Sequence, residues 1–193
     1  MSESVRPVQG TRRRLTGKRA ETVRKLSEAA AGLLVEIGYP GLTVQAVAER
    51  AGVTRATAYI YFSSKDHLIA ELYWREFSDP EDPIVAQGTP AERVVVTMRQ
   101  AALTLAERPA VARAAYHALL SNDVEVRDIR MQLAAEMRRR IANALGPNTD
   151  DTLVELLDLV YTGAVMRAGT GHVSYEKVAA LLETAAARVI AGS

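Results

Sequence analysis

Apolar side chains recur along this chain at spacings of three and four residues, which align them on one face of an α-helix. The first such run covers residues 23–37, and Gly38 follows where a helix C-terminal cap belongs. Two short runs, over 44–51 and from 55 to about 62, come next, and a fourth covers 65–77. No stretch alternates polar and apolar residues as a half-buried strand would. The pattern therefore predicts an all-α protein.

Helical spacing returns behind a segment that cannot be helical. Pro80 and Pro83 lie among acidic residues in 78–89, and because proline lacks the backbone donor a helix needs, we predict a junction there. The helices predicted behind it cover residues 95–105, 109–120, 129–145, 150–167 and 175–191. The chain thus divides into a basic mobile arm (1–18), a small helical domain (19–77) and a larger helical domain (90–193).

Composition narrows the class of protein. The chain has 193 residues, of which 48% are hydrophobic, enough to bury a core. It has no cysteine, which excludes disulfides and thiolate chemistry and favours a reducing cytoplasm. No apolar run follows the basic N-terminus as in a signal peptide, and the most apolar stretch, 153–166, is shorter than the ~20 residues that cross a bilayer. We therefore expect a cytoplasmic protein without a membrane partner.

Charge is unevenly distributed although the net charge is only +1. Residues 1–77 carry 12 Lys/Arg against 8 Asp/Glu, whereas residues 78–193 carry 12 against 15. A basic N-terminal part followed by an acidic remainder indicates that a polyanion binds the N-terminal part alone. A solubilising disordered tail is the alternative, and charge does not separate the two.

The two short helices predicted on either side of the turn 51–54 form a helix-turn-helix. The major groove of DNA is about 12 Å wide and admits one helix, which presents its first residues to the bases. Arg55 can donate two hydrogen bonds to guanine, Thr54 and Thr57 can bond phosphate or contact a thymine methyl group, and Ala56 permits close approach. An ordinary helical hairpin with a glycine turn has the same spacing and is the alternative.

Neighbouring residues favour DNA binding over a structural hairpin. Tyr59 and Tyr61 lie on a short helix among polar residues, and tyrosine hydroxyls bond phosphates well. Lys65 lies in the first turn of the next helix, where a cation opposes the helix dipole. A contact with a DNA phosphate would account for a lysine at this position. The alternative is that the Lys65 side chain is only solvated.

The run from Leu42 to Thr54 and the run from Ala58 to Leu68 resemble the signature of the tetracycline-repressor (TetR) family. The resemblance covers residues 20–75, and beyond them it extends only to length and helix pattern. It implies a three-helix helix-turn-helix domain followed by a helical ligand-binding and dimerisation domain. It also implies a homodimer on a palindromic DNA operator, usually a repressor, that releases DNA when a small molecule fills a pocket in the second domain.

The resemblance further implies roles for individual residues. Positions that match the family's phosphate contacts are Thr43, Thr54, Thr57, Tyr59, Tyr61 and Lys65, and those that match its base-reading positions are Arg55 and Ala56. Tyr61 departs from the histidine of many members, but its hydroxyl would preserve a donor. The arm residues Arg12, Arg13 and Arg14 resemble arms that reach the minor groove or the backbone.

The second half shows no catalytic pattern, so we expect neither an enzyme nor a cofactor. The three histidines, His67, His117 and His172, are isolated and lack any metal-binding spacing. Candidate effector contacts are Met98, Tyr116, His117, Met137 and Tyr161; the methionines suggest a lipophilic effector, with plain core as the alternative. A small all-α enzyme or carrier, and a nonspecific nucleic-acid binder, are the rival classes.

The last two helices, within residues 150–191, are the predicted homodimer interface. Small residues such as Gly163 and Ala164 permit close helix contact beside the apolar stripes. The first of these helices has only a narrow polar stripe, formed by Glu155, Asp158 and Thr162, so we expect it to be buried on most sides. The alternative is a monomer in which both helices pack inward.

Overall fold

The computed structural model describes residues 17–78, 87–147 and 149–192. Within them the chain is helical and contains no strand, which confirms the all-α class. The helices are α1 Lys18–Gly41, α2 Val44–Arg50, α3 Arg55–Tyr61, α4 Lys65–Phe77, α5 Pro90–Ala106, α6 Pro109–Leu119, α7 Val124–Leu145, α8 Asp151–Gly169 and α9 Tyr175–Ala191. The predicted basic arm with Arg12, Arg13 and Arg14, and most of the predicted junction, lie outside the described residues.

Side-chain caps begin the three helices that follow α1. Thr43, Thr54 and Ser64 each accept a hydrogen bond from the backbone N–H three residues further on, at 3.0–3.1 Å. Such a bond satisfies a backbone donor that has no partner within the helix. The caps fix where α2, α3 and α4 start, as the sequence predicts.

Helix α1 departs from helical geometry at Gly38, where φ is 64° and ψ is 179°. A side chain would be strained in this left-handed region, so glycine suits the position. The short turn beyond it brings Tyr39 against the start of α4, where the tyrosine hydroxyl donates to Asp66 Oδ1 at 2.7 Å. The predicted break therefore fixes how α1 meets α4.

Helix α4 belongs to the cores of both halves of the chain. At its start Leu68 and Ile69 are buried with residues of α1 and α2, and towards its end Tyr73 and Phe77 are buried against α6 and α7. Behind it, α9 packs along α5 and α8, and α7 packs on α5 and α8. The described residues contain no helix long and apolar enough to cross a membrane.

Helix α4 is not the sole connection between the two halves. Helix α6 packs against α1 as well as α4, and the rings of Tyr39 and His117 stack with their centroids 5.0 Å apart. In addition, Ser64 Oγ at the start of α4 donates to Asp123 Oδ2 at the start of α7, at 2.6 Å. The sequence could not show these contacts because they join residues distant along the chain.

Candidate nucleic-acid interface and internal cavity

The turn between α2 and α3 depends on the backbone of Gly52. Its φ is 68°, and a Cβ built there would meet nothing within 4 Å. Backbone conformation, and not lack of space, therefore favours glycine at this position. The backbone N–H of Val53 donates to the carbonyl of Ala48 at 3.0 Å and closes the turn. The two helices are thereby held as a helix-turn-helix pair.

The first turn of α3 carries the residues expected to read bases. Thr54, Arg55 and Ala56 are exposed and Thr57 is half-buried, whereas Ala58 is fully buried against the domain core. The Arg55 guanidinium lies over the ring of Tyr59, 5.4 Å from its centroid. This cation–π contact holds the arginine beside the exposed helix end.

The second turn of α3 presents aromatic and apolar surface. Tyr59 is 43% exposed and Tyr61 is half-buried. Ile60 lies between them and is 77% exposed. It was not among the predicted DNA contacts, although its place between two candidate phosphate contacts was a usable signal.

Lys65 has an intramolecular role in the structure. Its Nζ donates to the backbone carbonyl of Tyr39 at 3.2 Å and lies 4.2 Å from the centroid of the Tyr39 ring. These contacts explain a cation in the first turn of α4 without a phosphate. The ammonium group has three donors, so a phosphate contact stays a prediction. Thr43 is exposed beside the start of α2.

The starts of α4 and α7 are joined by a shared pair of caps. Asp123 accepts from Ser64 Oγ through one oxygen and from the backbone N–H of Glu125 through the other, at 2.9 Å. The hydrogen bond from Ser64 is the main cause of a lowered pKa for the Asp123 carboxyl. A carboxylate thus fastens the DNA-proximal end of α4 to a helix of the second half.

A cavity of about 350 Å³ lies between α4, α6, α7 and α8. Its walls are mainly apolar and aromatic. The lining residues are Tyr73, Phe77, Tyr116, Leu119, Leu120, Arg130, Leu133, Ala134, Met137, Asp158, Tyr161, Thr162, Val165 and Met166. Its size and apolar lining are those of a small-molecule site.

Three of the five predicted effector contacts line this cavity, namely Tyr116, Met137 and Tyr161. Met98 does not, because it lies on α5, which contributes no residue to the lining. His117 does not either: it follows Tyr116 on α6 by about 100° of helix rotation, and it stacks on Tyr39. The cavity residues on α4, including Tyr73 and Phe77, were missed because their spacing matches that of ordinary core.

The closed part of the cavity holds polar atoms without partners. Asp158 Oδ1 and Tyr161 OH are buried, and neither has a hydrogen-bond partner among the described residues. The nearest cation to the carboxyl is Arg138, whose Nε lies 4.0 Å from Oδ2. Burial raises the pKa of Asp158, and Arg138 offsets only part of that effect. Of the predicted polar stripe, Asp158 and Thr162 line the cavity, whereas Glu155 is exposed to solvent.

Gly169, in the last turn of α8, makes room for a wall of the cavity. A Cβ on this residue would lie 1.8 Å from Cε2 of Tyr116. Only glycine therefore allows the Tyr116 ring to pack flush against α8. The sequence gives no local reason for this glycine, because the ring that meets it is far away along the chain.

Helix α8 leaves an apolar stripe uncovered on the surface of a single chain. Leu156, Leu159 and Met166 are 47%, 69% and 44% exposed, and Gly163 lies between them at helical spacing. Leu181 of α9 adds a further residue that is 48% exposed. Within one chain, then, α8 is not buried on most sides.

The described residues contain no group of three or more His, Asp or Glu side chains that could hold a metal ion. They combine a helix-turn-helix, whose second helix exposes its first turn, with a helical body that encloses an apolar cavity. This combination defines a helix-turn-helix DNA-binding protein.

Comparison with known proteins identifies the family. Residues 26–72 match the family described as bacterial regulatory proteins, tetR family. An uncharacterised HTH-type transcriptional regulator of Mycobacterium tuberculosis is 40% identical over 177 residues, which is 89% of this chain and 82% of the relative. The HTH-type transcriptional repressor KstR of Rhodococcus jostii is 29% identical over 127 residues, 65% of this chain and 60% of the relative.

The fold agrees with this match. A TetR transcriptional regulator from Rhodococcus sp. RHA1 superposes with a TM-score of 0.75 and 22% identity, over 92% of this chain and 99% of that one. The chain belongs to the TetR family and is a DNA-binding transcriptional regulator.

Proposed function

We propose that this regulator is a cytoplasmic homodimeric repressor that binds a palindromic operator and is released from it by a small molecule. The observation that carries the proposal is a shared helix. Helix α4 starts beside the recognition helix α3, and its Tyr73 and Phe77 form one wall of the cavity. Whatever fills the cavity therefore contacts the element that positions the DNA-binding surface.

Exposure along α3 supports separate roles for its residues. Arg55 is exposed at the start of the helix, where it reads a base by paired hydrogen bonds, and Ala56 beside it allows close approach. Thr43, Thr54 and Thr57 lie at the starts of α2 and α3, and their hydroxyls bond phosphates. In the same proposal Tyr59, Tyr61, Lys65 and the basic arm hold the backbone of the operator.

The exposed stripe of α8 supports the dimer interface. Leu156, Leu159 and Met166 form an apolar strip, and Leu181 of α9 extends it. The exposed Gly163 within the strip lets a partner helix approach closely. We infer that two copies of α8 and α9 form a four-helix interface through residues 150–191.

Release follows from the distance between the two recognition helices. In a dimer they must lie about 34–36 Å apart to enter successive major grooves. A ligand that binds better when α4 has moved must weaken DNA binding by the same factor. A hundred-fold response needs a coupling of about 3 kcal/mol.

The test is selection of binding sites from random DNA with the full chain, followed by footprinting and sedimentation. The proposal expects a palindromic site with half-sites one helical turn apart and one dimer or more bound to it. Binding to all sequences with similar affinity would refute it, since a specific regulator prefers its site by about 10³-fold or more.

A further inference from the structure

We propose that the cavity takes a lipophilic compound that carries a hydrogen-bond donor, a hydroxyl or a protonated amine, received at the closed end by Asp158 and Tyr161. The inference rests on the proposed function in so far as the cavity is the effector site. It goes further by assigning the chemistry that the effector presents to the protein.

The two charged residues that line the cavity, Arg130 and Asp158, lie at opposite ends. Arg130 and Arg138 are eight residues apart on α7, or about 12 Å along its axis. Asp158 lies beside Arg138, whereas Arg130 donates to the backbone carbonyls of Leu119 and Ser121 at the end of α6. The carboxyl group and the Arg130 guanidinium are thus separated by roughly the length of the cavity.

Exposure shows which end is open. Leu120, next to the carbonyl that Arg130 binds, is 69% exposed. Leu120 also lines the cavity, so the mouth lies at the Arg130 end. Towards Asp158 the lining is largely buried: Tyr161 is 5% and Met137 2% exposed, and the Asp158 side chain is 16% exposed.

The closed end requires a donor from the ligand. Asp158 Oδ1 and Tyr161 OH are both buried without a partner, a costly condition for polar atoms. An ionised carboxylate only accepts hydrogen bonds, whereas a tyrosine hydroxyl can accept one and donate one. A ligand hydroxyl or ammonium group bonds to both atoms, while a ligand carboxylate at this end would meet Asp158 with repulsion.

The middle of the cavity requires an apolar body. Apart from the charged groups, the lining is mainly carbon surface, contributed among others by Tyr73, Phe77, Leu133, Ala134 and Val165. The Arg130 guanidinium at the mouth is anchored on two carbonyls. An anionic ligand could bind there with its tail inward, but it would leave Asp158 and Tyr161 without partners. A ligand donor at the closed end forms hydrogen bonds with Asp158 Oδ1 and Tyr161 OH, which the opposite orientation leaves without partners.

The experiment compares four ten-carbon probes: 1-decylamine and decanoate below their micelle concentrations, and 1-decanol and decane below their solubility limits. Affinities for the full-length protein are measured by isothermal titration calorimetry. We expect the amine and the alcohol to bind at least tenfold more tightly than decanoate or decane. Tightest binding by decanoate, or no binding by any probe, would overturn the proposal.

Variants test the two polar residues. Asp158→Asn should weaken decylamine binding at least tenfold, and Tyr161→Phe should weaken both donor probes. Glu155→Gln is the matched control, because it neutralises an exposed carboxylate on the same helix and should change nothing. Unchanged probe affinities in both Asp158→Asn and Tyr161→Phe would contradict the proposal. If Asp158→Asn folds poorly, Tyr161→Phe alone still tests the proposal, because it removes a single hydroxyl group.

DNA release separates this inference from the proposed function. Each probe is added to the protein bound to its selected operator. If the donor probes bind in the expected order without displacing DNA, the ligand chemistry is supported and the proposed release is wrong. If decanoate alone displaces DNA, the release is supported and the assigned ligand chemistry is wrong.

Discussion

Gly169→Ala tests the packing that shapes the cavity. The added methyl carbon would lie 1.8 Å from Tyr116 Cε2, so the ring must withdraw by about 1.6 Å to reach an ordinary contact of 3.4 Å. Overpacking of this kind costs about 1–3 kcal/mol. Alanine in place of glycine in a helix returns up to about 1 kcal/mol. We therefore expect a net loss of stability of up to about 3 kcal/mol.

Gly163→Ala is the matched control on the same helix. A Cβ at Gly163 meets nothing within 4 Å, so this variant should gain about 0.5–1 kcal/mol from helix propensity alone. Urea unfolding followed by the single tryptophan, Trp74, gives both free energies. The comparison is made at a protein concentration where sedimentation shows the same oligomeric state for both variants.

Ligand binding provides the second readout of Gly169→Ala. Tyr116 lines the cavity, so a ring displaced into that space should make the variant bind 1-decanol more weakly than wild type. Tyr116→Leu in the same chain removes the clash and should restore most of the lost stability. If Gly169→Ala proves as stable as Gly163→Ala and binds the probe normally, the packing described for Tyr116 is wrong.

Four further predictions address the interfaces and the connection between them. Arg55→Ala should cost about 1–3 kcal/mol of operator-binding free energy and relax the base preference at one position per half-site. Lys65→Ala should instead weaken binding to all DNA sequences about equally and reduce the slope of the salt dependence by about one unit. Identical specificity profiles for the two variants would contradict this distinction. Leu159→Arg should yield folded monomers with poor DNA binding, and an unchanged dimer in sedimentation would place the interface elsewhere. Asp123→Ala removes the hydrogen bond from Ser64 and should reduce the loss of operator affinity that a bound probe causes. If the variant loses as much operator affinity as wild type, this hydrogen bond does not couple the cavity to the DNA-binding surface. Burial raises the pKa of Asp158 above its ordinary 3.8, so ionisation of this carboxyl lowers the stability of the folded protein as the pH rises. In urea unfolding, Asp158→Asn should therefore exceed wild type in free energy of unfolding by more at pH 7 than at pH 4. An equal difference at the two pH values would show that the pKa of Asp158 is not raised.

Local sequence signals predicted the helices and their starts. Hydroxyl residues before α2, α3 and α4 cap the helices where the sequence placed them, because a cap acts within three residues. The positive-φ Gly52 in the helix-turn-helix has an equally local cause. Such features depend on neighbouring residues and can be read without a structure.

The cavity could be predicted only in part, because its walls come from four helices. Tyr116 and Tyr161 were named from their chemistry, but helical periodicity does not tell a residue that faces a cavity from one that faces packed core. Asp158 shows the difficulty: its spacing from Glu155 indicates a shared polar face, yet the packing of α7 turns it inward. Gly169 is explained only by a ring on another helix.

The connection between the cavity and DNA rests on how α4 is held at each end. Its 13 residues extend about 20 Å, so a displacement of 1 Å at Phe77 tilts the helix by about 3°. If the start of α4 were unattached, the helix could absorb this tilt locally. Instead Ser64 is bonded to Asp123 on α7, and Lys65 and Asp66 are bonded to Tyr39. Since α4 and α7 both line the cavity, a ligand that separates them either breaks the bond at Asp123 or moves both helices against α1. Both outcomes would alter the position of α3, so under the proposed function a ligand in the cavity should reduce DNA affinity.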